Sequence, residues 1–132
     1  MKKLFVTMLL AASLGLSACG ENSMSSASMK ANLKNKGYTA EVMSKTEAEA
    51  RIQGVEYVVN ITDALYCEQG QEVILAFFCA NIDDASAFIQ KNVAVMYRFG
   101  QQYSEQAKTG SYNNVAYVGT PNMVSAAGIG NI

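Results

Sequence analysis

The chain has 132 residues, with 10 Lys and Arg against 11 Asp and Glu, no histidine and no tryptophan. Charge this balanced, without a Lys/Arg cluster, leaves no electrostatic footprint for nucleic acid or an anionic surface. The missing histidine removes the commonest metal ligand and the usual base near neutral pH, and the length suits one small core.

The chain opens with Lys2 and Lys3, an uncharged run from Leu4 to Leu16, and the small pair Ser17-Ala18. This is the layout of a secretory leader, which takes no part in the fold. A run of 13 residues is also short of the roughly 20 that a bilayer-spanning helix needs. Leu16-Ser17-Ala18-Cys19 resembles the lipobox of bacterial lipoproteins at all four positions. The resemblance implies that residues 1–18 are a signal peptide, that Cys19 receives a diacylglycerol, and that cleavage occurs before it. Two or more acyl chains give stable anchoring where one does not. The implied location is therefore a cell membrane, on its extracytoplasmic side, with the membrane as partner through lipid. Cleavage takes two of the ten basic residues with the leader and leaves a mildly acidic chain.

Residues 19–28 (CGENSMSSAS) are small, polar and aperiodic, so they read as the lipidated cysteine and a flexible tether. Residues 29–132 then form a single domain. Met29 to Lys36 is a helix candidate stopped by Gly37, and Tyr38 to Met43 alternates as a strand does. Thr46 is expected to open a short helix that runs to Gln53 and stops at Gly54. Val55 to about Leu65 alternates, while Glu72 to Ala80 is apolar almost throughout. The first reads as a half-buried strand and the second as a central strand covered on both faces. Gln69-Gly70 between them marks an antiparallel hairpin.

Asp83 or Asp84 is expected to cap the longest helix, running to about Gln106. Ala85, Phe88, Ile89, Asn92, Val93, Met96, Gly100 and Tyr103 define its buried stripe. Gly110 and Asn113-Asn114 suggest a loop before a short strand, Val115 to Val118. Thr120 and Pro121 start a last helix as N-cap and first helical residue. The order predicts an α+β domain: a mainly antiparallel sheet of about four strands, one long helix on a face, and short flanking helices. The strand–Gly119-Thr120-Pro121–helix ending and the Gly37-Tyr38 opening loosely resemble small lipoproteins of the Firmicutes type, a likeness that carries no active-site motif.

Few residues point to chemistry. With Cys19 lipidated, Cys67 and Cys79 remain, and an even number in an exported protein favours a disulfide. The hairpin argues otherwise. A turn centred on 69–70 sets Cys67 opposite Glu72 and Cys79 opposite Asn60, about 23 Å apart along the sheet, so a bridge requires residues 64–67 to fold back as a loop. No Cys-x-x-Cys pair and no cofactor motif occurs. Asp83-Asp84 reads as helix capping rather than as a metal site, and Gly119-Thr120-Pro121 as a helix start rather than a phosphate loop. Tyr97 and Tyr103, with Arg98 between them, form a candidate contact surface, because tyrosine favours interfaces.

The function this supports is a membrane-anchored, non-catalytic binding module for an envelope protein or other envelope component. The alternative is a small envelope hydrolase or thiol enzyme, which a pocket joining Asp63, Glu72 or a thiol to Lys or Arg neighbours would favour.

Overall fold

A computed structural model describes residues 23–130. The lipobox-like tetrapeptide with Cys19 lies outside the described residues. Nine elements follow in order: α1 (Ser26–Asn35), β1 (Glu41–Met43), α2 (Lys45–Arg51), β2 (Ile61–Gln69), β3 (Glu72–Cys79), α3 (Ile82–Gln101), β4 (Lys108–Tyr112), β5 (Val115–Gly119) and α4 (Pro121–Ala126). The strands make one antiparallel sheet in the order β1-β2-β3-β5-β4.

The sheet is organised around β3, in which every residue from Val73 to Cys79 is buried. Side chains alternate across a strand, so these residues divide between two cores. Val73, Leu75, Phe77 and Cys79 face one side, with Ala64, Tyr66, Ala116 and Val118 from neighbouring strands. Ala85, Phe88, Met96 and Phe99 of α3 and Ala48 of α2 close over that side. Ile74, Ala76 and Phe78 face the other side, where Met29 and Leu33 of α1 and Met123 and Val124 of α4 cover them. The α+β class and antiparallel sheet are as expected. The long helix covers one face as expected, the short α1 and α4 cover the other, and the sheet has five strands rather than about four.

The additional strand is β4, where the sequence suggested a loop around Gly110. Its residues, KTGSY, are mostly polar because β4 is an edge strand, and a charged, polar edge discourages pairing with other chains. Gly110 lies opposite Tyr117; a Cβ there would come within 3.3 Å of the tyrosine hydroxyl. Asn113, with φ 51°, turns the chain between β4 and β5.

The β2–β3 hairpin forms, but its two-residue turn is Gly70-Gln71, since Gln69 pairs with Glu72. Gly70 takes φ +64°, a conformation glycine adopts without a Cβ penalty. Moving the turn centre by one residue moves the partner of Cys67 by two, from Glu72 to Ile74, whereas a register shift between Ile61 and Asp63 takes up one residue at the far end and sets Cys79 opposite Ile61. Residues 55–60 are not a strand. Val55, Tyr57 and Val59 still pack on the α3 side of the sheet, but β3 ends at Cys79, opposite Ile61, so the segment before it has no ladder to join.

Several helix starts also differ. Ser25 caps α1 in a reciprocal box with Ser28, so residues 26–28 belong to the helix and not to a tether. Ser44 rather than Thr46 caps α2, boxed with Glu47, and Asn81 rather than Asp83 or Asp84 caps α3 through the Asp84 N–H at 2.8 Å. The helix α3 ends at Gln101, five residues early. Phe99 joins its buried stripe, and Val93 is left 49% exposed.

This division of α3 gives a direct test. Phe77 touches Phe88 of α3 with ring centroids 4.9 Å apart, so Phe77→Ala is expected to cost about 3–5 kcal/mol by cavity formation. Val93→Ala is expected to change stability by less than about 0.5 kcal/mol. Chemical denaturation of both variants checks the assignment.

Candidate functional site

The sequence-derived candidates do not converge. Cys67 and Cys79 are both free and buried, and they lie on opposite faces of the sheet. The bridge considered from cysteine counting is therefore not made. Cys67 Sγ contacts the Thr39 carbonyl oxygen at 3.4 Å, and burial raises its pKa. Burial first, then the charge of Asp84, raises Cys79 to about 11. Each thiol stays protonated at neutral pH, the reverse of what a nucleophile needs.

Asp63 and Glu72 occupy opposite ends of the β2–β3 pair. Asp63 pairs across to Phe78 and accepts a 2.5 Å hydrogen bond from the Ser26 hydroxyl. Tyr97 and Tyr103 separate as well. Tyr97 is 54% exposed on α3, whereas Tyr103, beyond the end of the helix, stacks on Phe99 with centroids 5.5 Å apart. Asp83 and Asp84 sit in the first turn of α3, where carboxylates complement the helix dipole.

What does converge is a set of hydrogen-bonding side chains at the hairpin end of the sheet. Tyr66 and Glu68, two apart on β2, share a face, and the Tyr66 hydroxyl donates to the Glu68 carboxylate. The Tyr103 hydroxyl joins them, 3.1 Å from Tyr66 and 3.3 Å from Glu68 Oε1. Burial and the neighbouring Glu68 push the Tyr66 phenol well above its ordinary pKa. The Arg51 guanidinium lies over the Tyr66 ring at 4.5 Å and also reaches Glu41 at 3.5 Å.

On the other side of the hairpin, the Thr120 hydroxyl accepts from the Val73 N–H at 3.1 Å and donates to Glu72. Asn122 Nδ2 donates to the other Glu72 oxygen at 3.1 Å. Thr120 holds the N-cap position of α4, as expected, but makes no side-chain cap bond. Its hydroxyl instead prolongs the β3–β5 pairing by one rung. Between the two sets lies a shallow cleft of about 160 Å³, lined by Gln71, Glu72, Tyr103, Ser104, Gln106, Thr120, Pro121 and Asn122. It offers one carboxylate, amides and hydroxyls, without a Lys or Arg beside Glu72. Among the described residues, no group of three His, Cys, Asp or Glu side chains is placed to hold a metal ion. Such a cleft can hydrogen-bond a neutral polar group.

Sequence reading missed Tyr66, Glu68 and Tyr103 as a set. The period of two between Tyr66 and Glu68 is the available signal, hidden because the alternation that predicts the strand runs out near Leu65. Compared with known proteins, the chain matches no family model, no curated protein and no solved structure.

Two outcomes test this local account. Thr120→Val is expected to cost about 1–3 kcal/mol by leaving the buried Val73 N–H without an acceptor, and Thr120→Ser much less. For Cys79, the raised pKa means that the unfolded thiol ionises first. Its contribution to stability is therefore whole below about pH 9 and is lost as pH rises through about 11. Denaturation curves across that range should fall less steeply for Cys79→Ala than for the parent chain.

Proposed function

We propose that the chain is a lipid-anchored lipoprotein of the bacterial envelope whose folded domain binds an envelope protein or component without catalysing a reaction. The observation that carries this reading is the lipobox-like Leu16-Ser17-Ala18-Cys19, followed almost at once by chain fastened to the domain. The Met24 N–H donates to Asn114 Oδ1 at 2.7 Å, and Asn114 Nδ2 donates back to the Met24 carbonyl at 3.0 Å. Met24 is the fifth residue after Cys19, a reach of at most about 18 Å. Lipid on Cys19 would hold the domain close to the bilayer, within reach of envelope neighbours.

The competing reading, a small envelope hydrolase or thiol enzyme, gains little support. Its thiols are buried with raised pKa values, and Asp63 and Glu72 stand at opposite ends of a strand pair.

Metabolic labelling with a fatty-acid analogue in a bacterial host tests the anchor. The parent chain should take up label and sediment with membranes. Cys19→Ser should lose the label and accumulate with residues 1–18 still attached. Normal processing of Cys19→Ser, or an unlabelled parent chain, would refute the assignment.

A further inference from the structure

The outward face of α3 differs from an ordinary solvated helix face. Between Ser86 and Tyr97 its only charged residue is Lys91, which leans to one flank and pairs with Glu56 at 3.4 Å. Tyr97, 54% exposed, borders this face, while Ile82 at 56% and Val93 at 49% are exposed on the helix flank, more than about 100° from the centre of the face. The middle of the face is exposed Ala87 and Ala94, small groups that permit close approach of another helix, with exposed Gln90 and Lys91 about 50° to either side. An acid stands at one end and a base at the other. Asp83 and Arg98 are both exposed, and neither belongs to the two ion pairs among the described residues.

These positions are arranged symmetrically along the helix. The midpoint between Asp83 and Arg98 is also the midpoint between Ala87 and Ala94, and it falls between Gln90 and Lys91. At 100° per residue, each pair is centred on the same direction, opposite the buried stripe. A second α3 laid antiparallel about a twofold axis through that midpoint puts Asp83 level with Arg98 of the other copy, twice, about 22 Å apart. It also puts Ala87 level with Ala94 of the other copy. Tyr97 then lies within one turn of the small Ala87 opposite it. A face carrying opposite charges at equal distances from its centre is complementary to itself, which is the requirement of a twofold interface.

We propose that this face of α3 is a self-association surface, pairing antiparallel with α3 of a second copy of the chain. The interaction goes beyond the binding-module reading and does not depend on lipid. Confinement to one membrane would nevertheless favour it by raising the effective concentration of copies. It assigns Tyr97 to a contact surface and leaves Tyr103 in its own hydrogen-bonded set.

The test uses the full-length chain in intact cells. Gln90→Cys places a thiol beside the twofold axis, whereas Lys34→Cys places one on exposed α1. A short, membrane-permeant bis-maleimide is applied to each variant and to the parent chain, whose own cysteines set the background. Gln90→Cys should give about tenfold more cross-linked dimer than either. In the Gln90→Cys background, Asp83→Arg or Arg98→Asp alone should reduce the dimer to background, because like charges then face each other. The double reversal should restore it, which a folding defect in either single variant would not allow. Dimer yield equal to background, yield insensitive to the reversals, failure of the double variant to recover, or a cross-linked band of another mass would each overturn the proposal. The readout is independent of whether Cys19 carries lipid.

Discussion

The double-sided burial of β3 is the constraint from which the rest of the architecture follows. A strand whose residues from Val73 to Cys79 are all buried cannot sit at an edge or under a single layer of helices. It needs a strand on each side to satisfy its backbone, supplied by β2 and β5, and a helical layer on each face. The long α3 covers most of one face with help from α2. The other face is closed by α1 and α4, which come from opposite ends of the described chain and meet where Asn32 Nδ2 donates to the Ala127 carbonyl at 3.0 Å. Helices that short are marginal alone, so their stability comes from the apolar surface of β3 beneath them.

A second device recurs wherever backbone runs beyond the sheet. Among the described residues, three polar side chains are buried, Asn92, Asn114 and Thr120, and each replaces a missing strand partner. Asn92 accepts from the Glu56 N–H at 2.7 Å and donates to its carbonyl at 2.9 Å, fastening residues 55–60. Asn114 does the same for Met24 and also donates to the Cys79 carbonyl. Thr120 performs this role at Val73. A side-chain amide presents a donor and an acceptor in the spacing of a peptide group, so one residue can satisfy both backbone groups of another. Through Asn114, Met24 is tied directly to the central strand.

Where apolar periodicity was strong, sequence reading succeeded. The central strand, the long helix and the turn at Gly70 follow from burial pattern and from glycine's freedom at positive φ. The losses have separate causes. As an edge strand, β4 buries little and so lacks an apolar signature. Residues 55–60 carry a strand's alternation without a partner, because pairing depends on where β3 ends. Cap choice among Asn81, Asp83 and Asp84 turns on one residue of chain path, which local propensity does not resolve. The hydrogen-bonded set of Tyr66, Glu68 and Tyr103 joins residues from β2 and from beyond α3. Only the closed fold brings them together.

The resulting molecule is a sandwich with Met24 fastened to Asn114 at one end of the sheet and a polar cleft at the hairpin end. Both helical layers are held by the same central strand. Hydrogen exchange of the full-length chain tests this dependence most directly. The account expects the β3 amides from Val73 to Cys79 to exchange slowest, with α1, α4 and α3 losing protection together when the strand opens. Exchange of β3 as fast as that of α1, or loss of the α1–α4 layer while β3 and α3 stay protected, would contradict it.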